Sequence, residues 1–266
     1  MPATTENSAG TAEPGMAEPA LGAADPGVMS GVGDLTSAAY ERIEELFISL
    51  QLQPGAHLRT QDLQTLTKLG RTPVHQAVRR LAAETLLSVQ PRNGLLVAPI
   101  NLERERRLAV LRRDMERFVC AAAIESMQSN DRARLTYILR KLRDERGAIT
   151  LDRFNVLDKA FDMLMIQASG ERFLERSLRP LKALGRRTGY LDISRLSGQR
   201  GMNDSIDHHI ALMQAVLDGD VARACARSDE LIELGLSMMT RLEQNIDPAL
   251  LDIGFDLERG QGGRAV

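Results

Sequence analysis

A chain of 266 residues is long enough for one large domain or two modest ones. Aromatic residues make up only 3% and Trp is absent, so a core must rest on Leu, Ile, Val, Ala and Met, a set that favours helix over sheet. The net charge of −2 argues against indiscriminate coating of nucleic acid, and no run approaches the roughly 18 apolar residues of a membrane helix, so a cytoplasmic protein without membrane contact is expected.

Residues 1–33 carry Glu6, Glu13, Glu18 and Asp25 with no Lys or Arg, among many Ala, Gly, Pro, Ser and Thr. Such a composition buries too little apolar area to offset chain entropy, which predicts a disordered acidic tail. From Thr36 the run AAYERIEELFISL sets Ala39, Ile43, Leu46, Phe47 and Leu50 on one face, with Glu41, Arg42, Glu44 and Glu45 opposite. That is an amphipathic helix, capped by Thr36 or Ser37 and ended by Pro54-Gly55. A short helix, TQDLQTLT, follows with Thr60 as its N-cap. A third spans about 72–83 and keeps Pro73 in its first turn, where a missing N–H is harmless. Two extended runs, 87–90 and 95–98, are joined by Pro91-Arg92-Asn93-Gly94, and an Asn-Gly turn between apolar runs signals a hairpin. Three helices and a hairpin within about 65 residues read as a winged helix-turn-helix over 34–99.

Between Arg59 and Ala98 there are six basic residues (Arg59, Lys68, Arg71, Arg79, Arg80, Arg92) against Asp62 and Glu84, a local excess in a chain that is acidic overall. Arg71, His75 and Arg79 recur at i, i+4 and i+8, while Val74, Ala77, Val78 and Leu81 turn inward. The first residues of a recognition helix reach base edges in the major groove. Arg71 suits guanine N7 and O6, and Thr72 suits a phosphate or a thymine methyl. Arg92 and Asn93, at the hairpin tip, suit the adjacent backbone or minor groove.

After Asn101 the strand signals stop. Helical stretches run about 101–128, 131–146, 151–168, 172–190, 203–218 and 220–245, with breaks expected at Gly147, Ser169-Gly170, Gly201 and Gly219-Asp220. The fold class is therefore mainly α: an N-terminal winged helix-turn-helix joined to an all-helical bundle over 101–247, with a flexible tail at 248–266. Cys120 and Cys225 match no metal spacing and are expected as buried free thiols.

The segment GRTPVHQAVRRLAAETLLSVQPRNGLLV resembles the signature of GntR-family regulators, and the preceding LQPGAHLRTQDL is similar to that family's approach to its second helix. By this resemblance Arg71, Thr72, His75, Asn93 and Gly94 fall where the family contacts DNA, and Gln61 takes a further contact position. Gly70 stands where the family has a capping Ser, Thr85 replaces a Gly before the wing, and His75 replaces an Arg. His75 is a shorter donor, so an unusual operator or weaker binding is expected.

The helical half resembles the FCD domain of the FadR-type subfamily through LRRDMERFVCAAAIE, LDKAFDMLMIQASGERFL and HHIALMQAVLDGDVARA. Many such domains hold a divalent metal on one Asp and three His and present it to a carboxylate effector. Carried over, the positions fall on Asp158, Asp162, His209 and Leu231, the last unable to ligate, with His208 a nearby substitute. Two carboxylates and one imidazole would suit a hard cation such as Mg²⁺ or Mn²⁺. The alternative is a pocket in which Asp158 and Asp162 bind a ligand, or pair with Arg112, without metal. Arg112, Asp158, Asp162 and His209 are thus the candidate effector residues.

The resemblance implies a homodimeric repressor on operator double-stranded DNA, controlled by a small organic acid. Two other readings remain: a helical domain that only dimerises, and an enzyme using the paired carboxylates with a His. No nucleophile motif, P-loop or GxGxxG accompanies those groups, so no enzyme is expected.

Overall fold

The computed structural model describes residues 32–255, and the acidic tail expected before them lies outside that range apart from its last residues. The first helix, α1 (Val32–Ile48), begins earlier than its sequence pattern suggests. Thr36 consequently lies inside it instead of capping it, and its hydroxyl donates to Gln76 at 2.6 Å. A short strand β1 (His57–Leu58) precedes α2 (Thr60–Thr67) and α3 (Arg71–Ala83). The N-cap of α2 is Arg59, not Thr60, and Asp62 closes that end by accepting from the Arg59 N–H at 2.7 Å. Gly70 caps α3 without a side chain to offer.

The wing consists of β2 (Leu87–Gln90) and β3 (Gly94–Val97), and β1 completes an antiparallel sheet in the order β1-β3-β2. Gln90 pairs with Gly94, so the wing tip is the three-residue loop Pro91-Arg92-Asn93, with Arg92 at φ 68, and not an Asn-Gly two-residue turn. Gly94 sits at φ +81, and a Cβ there would lie 2.6 Å from the Leu58 carbonyl oxygen. Only glycine lets β1 approach β3 this closely.

The helical half comprises α4 (Leu102–Ser126), α5 (Ser129–Glu145), α6 (Leu151–Ala168), α7 (Arg172–Asp192), α8 (Gly198–Leu217) and α9 (Val221–Asn245). Side chains cap several of them: Asn101, Thr150 and Asp220 each accept from the N–H three residues on. The break expected at Gly201 does not occur. A π turn, Ile193–Ser197, links α7 to α8, Gly198 makes the corner at φ +56, and Gly201 lies within α8 beneath the Ser197 side chain. Glycine is needed there for packing.

Leu135, Phe161, Ile206, Met213 and Val216 belong to one apolar core inside the bundle; Ile43, Phe47, Leu63, Val74 and Leu81 belong to another beneath the wing. The second core also takes in Ala183 and Leu184 of α7, so the two halves share buried apolar surface. Residues 248–255, expected as part of a flexible tail, form a docked segment. Pro248–Leu250 make a 3₁₀ turn, Leu251 accepts from Ile100 N–H at 2.8 Å, and Ile253 donates to the Pro54 carbonyl at 2.9 Å. No helix among the described residues is long and apolar enough to cross a membrane.

Candidate functional site

The recognition-type helix α3 is divided cleanly by burial. Pro73, Val74, Ala77, Val78 and Leu81 are buried, while Arg71, Thr72, His75, Gln76 and Arg79 are exposed along one side. Gln61, in the first turn of α2, and Arg92 and Asn93, at the wing tip, are exposed as well; Gly94 is half-buried and serves the sheet. Arg80 leaves the basic face. It binds Glu84 at 2.9 Å and lies over the Tyr40 ring at 4.0 Å. Arg179 of α7 covers the same ring at 4.2 Å, so Tyr40 is clasped between two guanidinium groups.

That clasp belongs to a buried charged junction between the halves. Glu44, only 1% exposed, accepts from Arg179 Nε at 2.9 Å and is bound by Lys159 Nζ at 2.7 Å. Glu41 binds the same two cations. Burial alone would raise the Glu44 carboxyl, but the Arg179 hydrogen bonds and the Lys159 charge outweigh it and hold it at about 2. Nearby, Arg187 is fully buried: its Nη1 donates to the Ala98 carbonyl at 2.7 Å and its guanidinium lies 4.1 Å from the Phe47 ring centroid. Its carboxylate partner Glu105 is 3.9 Å away, and burial lowers the Arg187 pKa to about 10.

Inside the bundle, α4, α6, α7, α8 and α9 enclose a cavity of about 150 Å³. It brings together all four expected effector residues, Arg112, Asp158, Asp162 and His209, with Glu116, Lys182 and Arg186 among them. Arg112 does not pair with the two aspartates. Arg186 Nε donates to Asp158 at 2.6 Å and its Nη2 to Asp162; Lys182 binds Asp162 at 2.7 Å and Glu116 at 2.5 Å. Burial raises both aspartyl pKa values. The Arg186 charge overcomes this at Asp158, which ends low, whereas Asp162, beside Asp158 and Glu116, stays raised.

The cations bear directly on how a metal would fit. His209 Nδ1 lies 2.7 Å from the Ser205 carbonyl and Nε2 lies 3.0 Å from Asp158 Oδ1. Both ring nitrogens face acceptors; burial lowers the His209 pKa, and the Asp158 charge and hydrogen bond more than restore it, favouring the protonated ring. Held between the Ser205 carbonyl and Asp158, the imidazole turns no free nitrogen towards a metal. Asp158 and Asp162 are already bound by Arg186 and Lys182, Leu231 lines the cavity where a ligand would be needed, and His208 lies outside it, its Nδ1 2.8 Å from the Asp204 carbonyl. No group of three or more such ligands is assembled among the described residues. The donor set does not fit a divalent ion, and the expected Asp158, Asp162 and His209 site is corrected to an ion-pair cluster. Sequence reasoning missed Lys182 and Arg186, although their i, i+4 spacing mirrors that of Asp158 and Asp162.

Residues 35–97 match the model for bacterial regulatory proteins of the gntR family, and residues 107–234 match the FCD domain. The chain belongs to the GntR family. This GntR protein is a DNA-binding transcriptional regulator with an FCD domain. It is 24% identical over 213 residues to the HTH-type transcriptional repressor RspR of Escherichia coli strain K12, covering 78% of this chain and 90% of that one. It is 26% identical over 191 residues to the repressor GlaR of the same strain, covering 70% and 86%. Among solved structures it resembles E. coli McbR/YncC, with a TM-score of 0.67 and 19% identity over 79% of this chain and 99% of that one. A GntR regulator from Rhodococcus sp. RHA1 superposes with a TM-score of 0.59 at 15% identity, covering 77% and 97%. GntR regulators bind operator DNA and generally act as dimers.

Proposed function

We propose that this GntR regulator is a repressor whose operator binding is modulated by a small organic acid held in the bundle cavity. The observation that carries this reading is the interleaving of two sets of charges on the same helices. On α6, Asp158 and Asp162 face the cavity while Lys159 grips Glu41 and Glu44 of α1; on α7, Lys182 and Arg186 face the cavity while Arg179 and Arg187 hold the winged half. A ligand that shifts either helix therefore acts on the placement of the recognition helix. This linkage favours sensing over a helical domain that only dimerises.

DNA contact is assigned to Arg71, Thr72, His75 and Arg79 on α3, with Gln61, Arg92 and Asn93 beside them. A two-fold dimer would set two such modules on a near-palindromic site, and α4 offers exposed Val110, Leu111 and Phe118 to a second copy. Random-library selection supplies the operator, and gel-shift titration at fixed salt then tests the reading. Arg71→Ala should weaken binding by about 1–3 kcal/mol, whereas unchanged affinity would remove Arg71 from the interface. Light scattering at micromolar concentration should report a dimer, and a monomer would contradict the two-fold arrangement.

A further inference from the structure

The charge inventory of the cavity narrows what it can bind, an inference that rests on the sensing reading above. Asp158, Asp162 and Glu116 are all engaged by Lys182 or Arg186. Arg112 is in a different position. Its neighbouring carboxylate, Glu116, lies 3.5 Å from Nε and is already bound by Lys182 at 2.5 Å. Arg112 Nε is buried and makes no hydrogen bond among the described residues. The guanidinium lies against Gly185, where a Cβ would come within 2.7 Å of Nη1, so the absence of a side chain there makes room for it.

Arg112 is thus the cavity cation least engaged by the cavity's own carboxylates. A buried donor in that state is costly, and the planar fork of a guanidinium matches a carboxylate. Much of the remaining wall is apolar, including Val119, Phe161, Met165, Leu212 and Ile232. A cavity of about 150 Å³ is the size that holds benzene in a protein interior. Because Lys182 and Arg186 already hold the cavity's carboxylates, a ligand with a single carboxylate matches the open fork of Arg112 best.

We propose that the cavity binds a small monocarboxylate with an apolar or aromatic body directly on Arg112, while Lys182 and Arg186 fill the centre that the family resemblance assigns to a divalent ion. Recognition is then independent of metal. The probe is benzoate, titrated calorimetrically into the full-length protein after dialysis against EDTA, with acetate and inorganic phosphate as comparators. Benzoate is expected to bind with a Kd that changes less than about twofold when Zn²⁺ or Mn²⁺ is added back. Acetate, which leaves the apolar wall unfilled, should bind at least tenfold more weakly. Arg112→Met should weaken benzoate at least tenfold; Arg112→Lys, which keeps the charge but loses the fork, should fall between, with circular dichroism confirming that both variants fold. Benzoate binding that requires added metal would overturn the metal-independent claim and leave the sensing reading standing. Native-like binding by either Arg112 variant would overturn the role of Arg112, and preference for phosphate would overturn the carboxylate class. Absence of binding by all three probes, with and without metal, would overturn this proposal; a broader thermal-shift panel of organic acids then decides the sensing reading separately.

Discussion

Replacing Glu44 by Gln tests the junction between the two halves. Glu44 is 1% exposed and anchors Arg179 and Lys159, while the Tyr40 hydroxyl, whose oxygen lies 3.1 Å from it, donates to Glu84 at 2.5 Å. The drop of its carboxyl pKa from 4.5 to about 2 corresponds to roughly 3 kcal/mol of preference for the charged form in the folded state. Loss of one partner from a buried ion pair costs about the same. Because the folded-state pKa lies below the unfolded one, this contribution is fully present above pH 4.5 and is lost as pH falls towards 2. Glu44→Gln should therefore be about 3 kcal/mol less stable than the native chain at pH 7, and the gap should shrink progressively as pH falls from 4.5 towards 2. Urea unfolding followed by circular dichroism at a series of pH values measures it. A gap that stays constant with pH, or no gap at neutral pH, would refute the reasoning, since either result would mean that the charge on Glu44 does not hold the junction.

The two thiols should react very differently. Cys120 is buried and pushed up to about 12, first by burial and then by the Glu116 charge, whereas Cys225 is half-buried. Iodoacetamide at pH 8 should label Cys225 at least tenfold faster, as mass spectrometry would show, and equal rates would contradict the burial of Cys120. Ending the chain at Asp247 removes two backbone hydrogen bonds to the domain junction and the packing of Leu250 and Leu251 on Ile100, Leu191 and Leu242. That should cost about 2–4 kcal/mol, seen as a lower urea midpoint; an unchanged midpoint would mean that the segment is not held in solution.

The winged half was legible because its signals are local. Burial in α3 follows the 3.6-residue period, so Val74, Ala77, Val78 and Leu81 are read inward and Arg71, His75 and Arg79 outward directly from spacing. The wing tip was read less well: Asn93-Gly94 looks like a two-residue turn, but the close approach of β1 claims Gly94 for the sheet. Gly201 looks like a helix break for a similar reason, because sequence does not show the Ser197 side chain that packs on it. In the cavity, Asp158, Asp162 and His209 could be carried over from a family pattern, yet their partners could not. Ion pairs between helices 20 or more residues apart leave no periodic trace, and Lys182, Arg186 and Arg187 read as ordinary solvated charges on a basic helix. Arginine is seldom fully buried, so nothing in the sequence marks Arg187 as the side chain that crosses from the bundle to Phe47 and Ala98.

The alternation of duties along α7 limits how such a regulator can diverge. Residues 182 and 186 belong to the cavity, and 179 and 187 to the winged half, so a substitution that retilts this helix to suit a new ligand also disturbs the grip on α1. Side chains on α4 and α9, such as Val119 and Ile232, line the cavity without entering that grip. A lineage that changes its ligand while keeping its operator is expected to vary those walls and leave the arginines and lysines of α7 in place. Comparison of relatives that share an operator but differ in the apolar lining of the cavity would show whether drift has followed that route.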